Sequence, residues 1–156
     1  MPTKRLAADC VLTDEAGRPL VLDPPYKVTW DIPGGIVEVD ESPRRAVQRE
    51  VLEEIGLDIE LGRLLVVDWK PRDGDFTEVV ALLFDGGTLT AWDIDRIVTD
   101  PSDVRGYRLV ELDDAGTLLD AELFARMSAG LEARSRDRIE YLEDGVPALR
   151  THREPG

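Results

Sequence analysis

Short apolar stretches, rich in β-branched residues, recur along the chain between clusters of glycine, proline and aspartate. RLAADCVLT (5–13) and RPLVLD (18–23) have strand character and are joined by the turn DEAG. PPYKVTWDIPGG (24–35) is loop-like, broken by Pro24, Pro25, Pro33 and two glycines. Ser42 followed by Pro43 signals a helix start, a side-chain cap with proline at the first helical position. The helix should run to about Ile55, with Gly56 as its left-handed stop. Strands are expected at 60–70 and 76–85, forming a hairpin through PRDGD, and a further short strand at 106–113. A second helix is expected over 120–137 and a small hairpin over 141–149, turning at Asp144–Gly145. Strands and helices mix without strict βαβ alternation, and neither repeat nor linker divides residues 1–156. The expected fold is one α/β (α+β) domain built on a mixed β-sheet.

The 43–55 helix has an unusual polar face. At about 100° per residue, Glu50, Glu53 and Glu54 share one side, while Val47, Val51, Ile55 and Leu52 occupy the other. Like charges three and four apart oppose a helix by only about 0.2–0.5 kcal/mol per pair, so a solvated acidic face is tolerable. The same three carboxylates would equally suit a hard cation such as Mg²⁺, with Mn²⁺ as substitute. The cluster alone does not choose between the two.

Composition narrows the options. The chain has 156 residues, enough to bury a core, and its 42% hydrophobic content is that of a folded protein. A formal net charge of −14 argues against a nucleic-acid scaffold, though not against a small phosphorylated substrate. No apolar run approaches the roughly 20 residues that span a bilayer, so no membrane association is expected. MPTKRLAADC has no apolar core of a signal peptide, and the lone Cys10 lies in an apolar run. Together they point to a reducing, cytoplasmic setting. The sole histidine, His152, sits in the polar tail THREPG, which makes a histidine base or a His-rich zinc site a poor expectation.

Gly35, Glu41, Arg49, Glu50, Glu53, Glu54 and Gly56 match without gaps the pattern G-x5-E-x7-R-E-U-x-E-E-x-G-U, with Val51 and Leu57 at the aliphatic U positions. This resembles the Nudix box, and the surrounding order of elements is similar to the α/β/α sandwich of the Nudix hydrolases. The resemblance implies metal-dependent hydrolysis of a diphosphate bond by water, in a nucleoside di- or triphosphate or a nucleoside diphosphate derivative. It assigns metal binding to Glu50, Glu53, Glu54 and the Gly34 carbonyl. It also implies that Glu41 and Arg49 pair to hold the loop against the helix. Homodimers are common in the family.

Many small members place an acid directly before the aromatic of the later strand, but this chain has Gly106 before Tyr107. Asp103 is then the nearest further carboxylate, with Asp73 and Asp75 as others, and the general base falls to a carboxylate, with Glu53 the candidate. Tyr26, Trp30 and Phe76 flank the site in sequence and are candidates to stack on a base. Pro71 fits only loosely the proline of the family's ADP-ribose hydrolases and would equally shape the hairpin. ADP-ribose or a nucleotide sugar is the alternative substrate. A non-catalytic nucleotide sensor is the third option, against which the complete box argues.

Overall fold

The computed structural model describes residues 1–148. The elements in chain order are β1 (Arg5–Asp14), β2 (Leu20–Asp23), β3 (Gly34–Ile36), α1 (Pro43–Ile55), β4 (Leu64–Lys70) and β5 (Val79–Leu89). They continue with α2 (Ala91–Asp95), β6 (Gly106–Leu109), α3 (Leu112–Leu118), α4 (Ala121–Ser135), β7 (Glu140–Glu143) and β8 (Val146–Pro147). The main sheet has the order β3-β1-β5-β4-β7-β8. It is mixed: β1/β5 and β4/β7 run parallel, while β1/β3, β4/β5 and β7/β8 run antiparallel.

Side chains of β1 divide between two cores. Ala8, Cys10 and Leu12 pack with Val47, Val51 and Ile55 of α1. The intervening Val11 joins Leu83 and Val66 of the sheet with Leu123 and Met127 of α4. Helices thus cover both faces, giving the expected α/β/α sandwich, and a strand buried on both sides carries apolar residues without alternation. Cys10 is fully buried, as its apolar neighbours imply. Among the described residues no helix is long and apolar enough to cross a membrane.

Several sequence expectations need correction. The turn after β1 forms, with the Asp14 carboxylate accepting from the Ala16 and Arg18 amides at 3.0 and 2.9 Å. Yet β1 and β2 share only the bridge Thr13–Pro19 and then part. Both edges of β1 are taken by β3 and β5, so β2 leaves to pair with β6 in a second, two-stranded sheet. The strand expected over 106–113 stops at Leu109. Glu111 stands at the N-cap of α3, which is anchored by buried Ala115 and by the Leu118 carbonyl, acceptor of the Trp30 amide at 2.9 Å.

The β4–β5 hairpin exists, but its strands begin at Leu64 and Val79, later than expected. The short α2 was not foreseen, although Thr90 and Asp93 form a reciprocal capping box. Gly34 and Gly35, placed in a loop by the sequence, form β3. The β7–β8 hairpin turns at Asp144–Gly145 as expected. Leu149, at its expected end, and His152 lie outside the described residues.

Candidate active site

The Ser42 hydroxyl accepts from the Arg45 amide at 3.3 Å, Pro43 opens α1, and Gly56 closes it in the left-handed conformation, donating to the Leu52 carbonyl. Ala46, Val47, Val51 and Ile55 face the sheet. That contact strip is narrower than the aliphatic side suggested by the sequence: Leu52 falls outside it and is half exposed. Glu50 and Glu54 point elsewhere, toward β3, and Glu53 lies half exposed beside them.

Gly34 sits where no other residue fits. Its φ is +145°, and a Cβ there would lie 2.3 Å from an Asp9 carboxylate oxygen and 2.4 Å from the Ala8 carbonyl oxygen. Its amide donates to Glu54 Oε1 at 2.9 Å. A Cβ on Gly35 would in turn lie 2.5 Å from Glu50 Oε1, so this bare backbone is what lets the helix carboxylates approach.

Arg49 ties the loop to the helix. Its Nε and Nη2 fork onto the two Glu41 oxygens at 2.8 and 3.0 Å, and Nη1 reaches Glu50 at 3.0 Å and Glu53 at 3.4 Å. Nη2 also donates to the Ile36 carbonyl at 3.4 Å, while Glu41 accepts from the Glu38 amide at 3.1 Å. The fork and its hydrogen bonds hold the Glu41 carboxyl well below the ordinary range, at about 2.

A cavity of about 380 Å³ opens over this platform. Tyr26, Gly34, Gly35, Ile36, Glu50, Glu53, Glu54, Ser102 and Asp103 line it, and the box residues thereby meet two distant loops. The Asp103 loop is fastened by buried Val104 and by Arg105, whose guanidinium meets Asp23 at 2.9 Å. Two aromatics named from sequence lie elsewhere. Trp30 packs half-buried against the α4-side core, with the Arg108 guanidinium 4.8 Å from its ring centre. Phe76 lies in a separate hollow with Pro71 and Asp73, and its ring carries the Arg5 guanidinium at 5.3 Å. The sequence brings both near the box along the chain, but their rings already have other partners. Asp75 belongs to the same β4–β5 turn.

The acids beneath the cavity are poorly compensated. Burial, opposed by the Gly34 amide and reinforced by the charges of Glu50, Asp31 and Asp9, pushes Glu54 up to about 9. Burial also raises Glu50 despite Arg49. Asp9, which pairs with Gly34 across the β1/β3 ladder, is pushed up to about 7 by burial, with Arg126 opposing. Sequence reasoning missed Asp9 and Asp31. A lone acid inside the apolar run AADCV was the available signal for Asp9.

Excess buried negative charge and an all-oxygen donor set fit a divalent cation in this place. Among the described residues no three acidic, histidine or cysteine side chains are already gathered into a cage. Glu50 rests on Arg49, and Glu54 on the Gly34 amide. Among the described residues Glu54 has no ion-pair partner, so a bound cation would favour its ionised form.

Comparison with known proteins bears on the fold and the family. A family model described as the NUDIX domain matches residues 3–129. A MutT-like protein of Streptomyces ambofaciens is 36% identical over 83 residues, 53% of this chain and 51% of its own. Diphosphoinositol polyphosphate phosphohydrolase 2 of Rattus norvegicus is 41% identical over 63 residues, 40% of this chain and 35% of its own. The matched stretches thus span about a third to a half of these relatives. Among solved structures, a MutT protein from Methanosarcina mazei superposes with a TM-score of 0.67 at 25% identity, covering 88% of this chain and 98% of that one. A Caenorhabditis elegans Ap4A hydrolase shares the fold, with a TM-score of 0.65 at 21% identity over 85% of this chain and 96% of its own.

Proposed function

The chain belongs to the NUDIX family, and from that premise we propose that it hydrolyses a diphosphate bond in a nucleoside di- or triphosphate or a nucleoside diphosphate derivative. The observation that carries this reading is the cavity in which Glu50, Glu53 and Glu54 of one helix face the bare Gly34–Gly35 backbone. Glu50, Glu53, Glu54 and the Gly34 carbonyl would hold Mg²⁺ or Mn²⁺, which when bound neutralises phosphate charge and acidifies the attacking water. The water oxygen attacks phosphorus, the bridging P–O bond breaks, and the second phosphate leaves. Glu53, half exposed on the cavity wall, would accept the water's proton. Neither Arg49 nor Glu41 is among the described lining residues of the cavity; their hydrogen bonds would hold the 36–41 loop so that the helix and Gly34 keep their spacing.

Tyr26 is the aromatic that lines the cavity, and it supplies a surface against which a base can stack. None of the described lining residues is lysine or arginine. An inositol bearing many phosphates, the substrate class in the name of the rat relative, would find little charge to balance it there. ADP-ribose and nucleotide sugars carry the same diphosphate as the favoured substrates, and Pro71, the residue that suggested them, lies in another hollow.

The test is a panel of nucleotides and conjugates assayed with Mg²⁺ or Mn²⁺, with products separated by chromatography. Turnover should require the metal and rise toward alkaline pH, because cation and proton compete for buried carboxylates and the attacking water must lose a proton. Since Glu54 is pushed up to about 9, Mn²⁺ affinity of the nucleotide-free protein should increase steadily between about pH 7 and pH 9. Full turnover in excess chelator would reject the metal platform.

Arg49→Ala is expected to lower turnover at least about tenfold, equivalent to about 1.4 kcal/mol of barrier. That exceeds the loss from most surface ion pairs, about 0–1 kcal/mol. Steady-state kinetics beside a thermal melt checks it: wild-type rates in Arg49→Ala and in Glu41→Gln would remove the positioning role.

A further inference from the structure

A substrate diphosphate brings at least two negative charges into a cavity whose described walls hold carboxylates and no basic side chain. The neighbouring guanidiniums are committed: Arg49 to Glu41, Glu50 and Glu53, and Arg105 to Asp23. Lys27 is different. It directly follows Tyr26, a wall residue of the cavity, and its ammonium meets one carboxylate, Asp31, at 3.0 Å. Both partners are only about a third exposed, at 32% and 28%.

The backbone around the pair is fixed rather than loose. Asp31 and Leu22 exchange amide hydrogen bonds at 2.7 and 2.8 Å, and the Asp31 carboxylate accepts from the Ile32 amide at 2.9 Å. Gly34 follows three residues later, so the loop that ends at the site also carries the lysine. The charge of Lys27 is felt by the Tyr26 hydroxyl and by Asp9, and that of Asp31 by Glu54.

We propose that Lys27 is the phosphate-recognising cation of this site, held ready by Asp31 and handed to the substrate diphosphate when a nucleotide lies against Tyr26. The inference rests on the reading of function given above and adds to it the residue that supplies positive charge from the protein. A lysine suits the task because its ammonium is a compact point charge on a flexible stem, able to leave one oxygen acceptor for another. The exchange swaps one carboxylate for one phosphate oxygen, and the released Asp31 carboxylate keeps its hydrogen bond from the Ile32 amide.

The experiment compares wild type, Lys27→Gln and Lys27→Arg. For the best substrate of the panel, Lys27→Gln should raise KM at least tenfold while kcat changes less than threefold, and Lys27→Arg should recover most of the loss. Calorimetric titration with ADP, with and without Mg²⁺, should show the same weakening in Lys27→Gln, while Mn²⁺ affinity of the nucleotide-free protein stays at the wild-type value. An unchanged KM and ADP affinity in a folded, active Lys27→Gln protein would overturn the assignment and leave the hydrolase reading standing. A loss confined to kcat or to Mn²⁺ affinity would overturn it too, since Lys27 would then act on the metal platform. Failure of the wild-type protein to hydrolyse or bind any of the panel would bring down the functional reading and this inference together.

Discussion

Glu54→Gln is expected to slow turnover by about two to three orders of magnitude while leaving the nucleotide-free protein at least as stable as wild type. The amide keeps the size of the side chain and an oxygen to accept the Gly34 N–H, now bonded at 2.9 Å. It removes the charge that would neutralise a cation, and losing one such interaction raises the barrier by about 3–4 kcal/mol, with about 1.4 kcal/mol per tenfold. Stability moves the other way. Burial raises the Glu54 carboxyl from its ordinary 4.5 to about 9, so the native state holds its proton more tightly than the unfolded chain. That contribution is fully present below about pH 4.5 and is lost as pH rises through about 9. Glutamine never ionises, so the variant should gain on wild type across that window. Chemical denaturation at two pH values beside a turnover assay decides: a merely solvated acidic face predicts a stable protein with normal activity.

Arg126→Met should destabilise the fold by about 3–5 kcal/mol, the range for removing one partner of a buried ion pair. Arg126 is 6% exposed and its Nε donates to Asp68, itself fully buried, at 3.0 Å. Its Nη1 lies 3.6 Å from Asp9, and the second Asp68 oxygen accepts from the Gly145 amide at 3.1 Å. Methionine matches the stem in bulk but abandons two carboxylates in the interior. Asp9→Asn should cost less, because one guanidinium already serves two acids there and Asp9 is pushed up to about 7. Equal denaturation midpoints for wild type and Arg126→Met would show that the cluster is not acting as a buried charge unit.

What could be read from the sequence was what is local. The box is contiguous, so the helix, its caps and its acidic face all followed from residues 42–57, whereas the strand made by Gly34 and Gly35 did not. The turn at Asp14–Arg18 was equally legible. The destinations of the strands it joins were not: β2 finds its partner in β6, with Leu22 opposite Tyr107, and nothing near Leu22 announces this. Helix α3 was hidden because LDDAGTL has little intrinsic preference and is held by tertiary contacts at Ala115 and Leu118. Proximity along the chain misplaced Trp30 and Phe76, each of which had an arginine waiting for its ring. Asp9 and Arg126 meet only through the packing of α4, and Asp31 is placed by its bridge to Leu22. No spacing rule in one sequence reaches that far.

The parallel pairing of β1 with β5 sets Arg5 opposite Val79, and everything that builds the cavity floor lies in the intervening chain. Closing so long a loop costs conformational entropy before any contact repays it. β3 and α1 emerge first and can dress one side of β1, but the other side presents free amides and carbonyls until residue 89 has been made. During synthesis the growing chain therefore passes through a stage in which the β5-facing edge of β1 is open to other chains. A fragment ending near residue 75 should consequently aggregate rather than form a smaller catalyst, however complete its acidic helix. Sedimentation of that fragment against the full chain would show it.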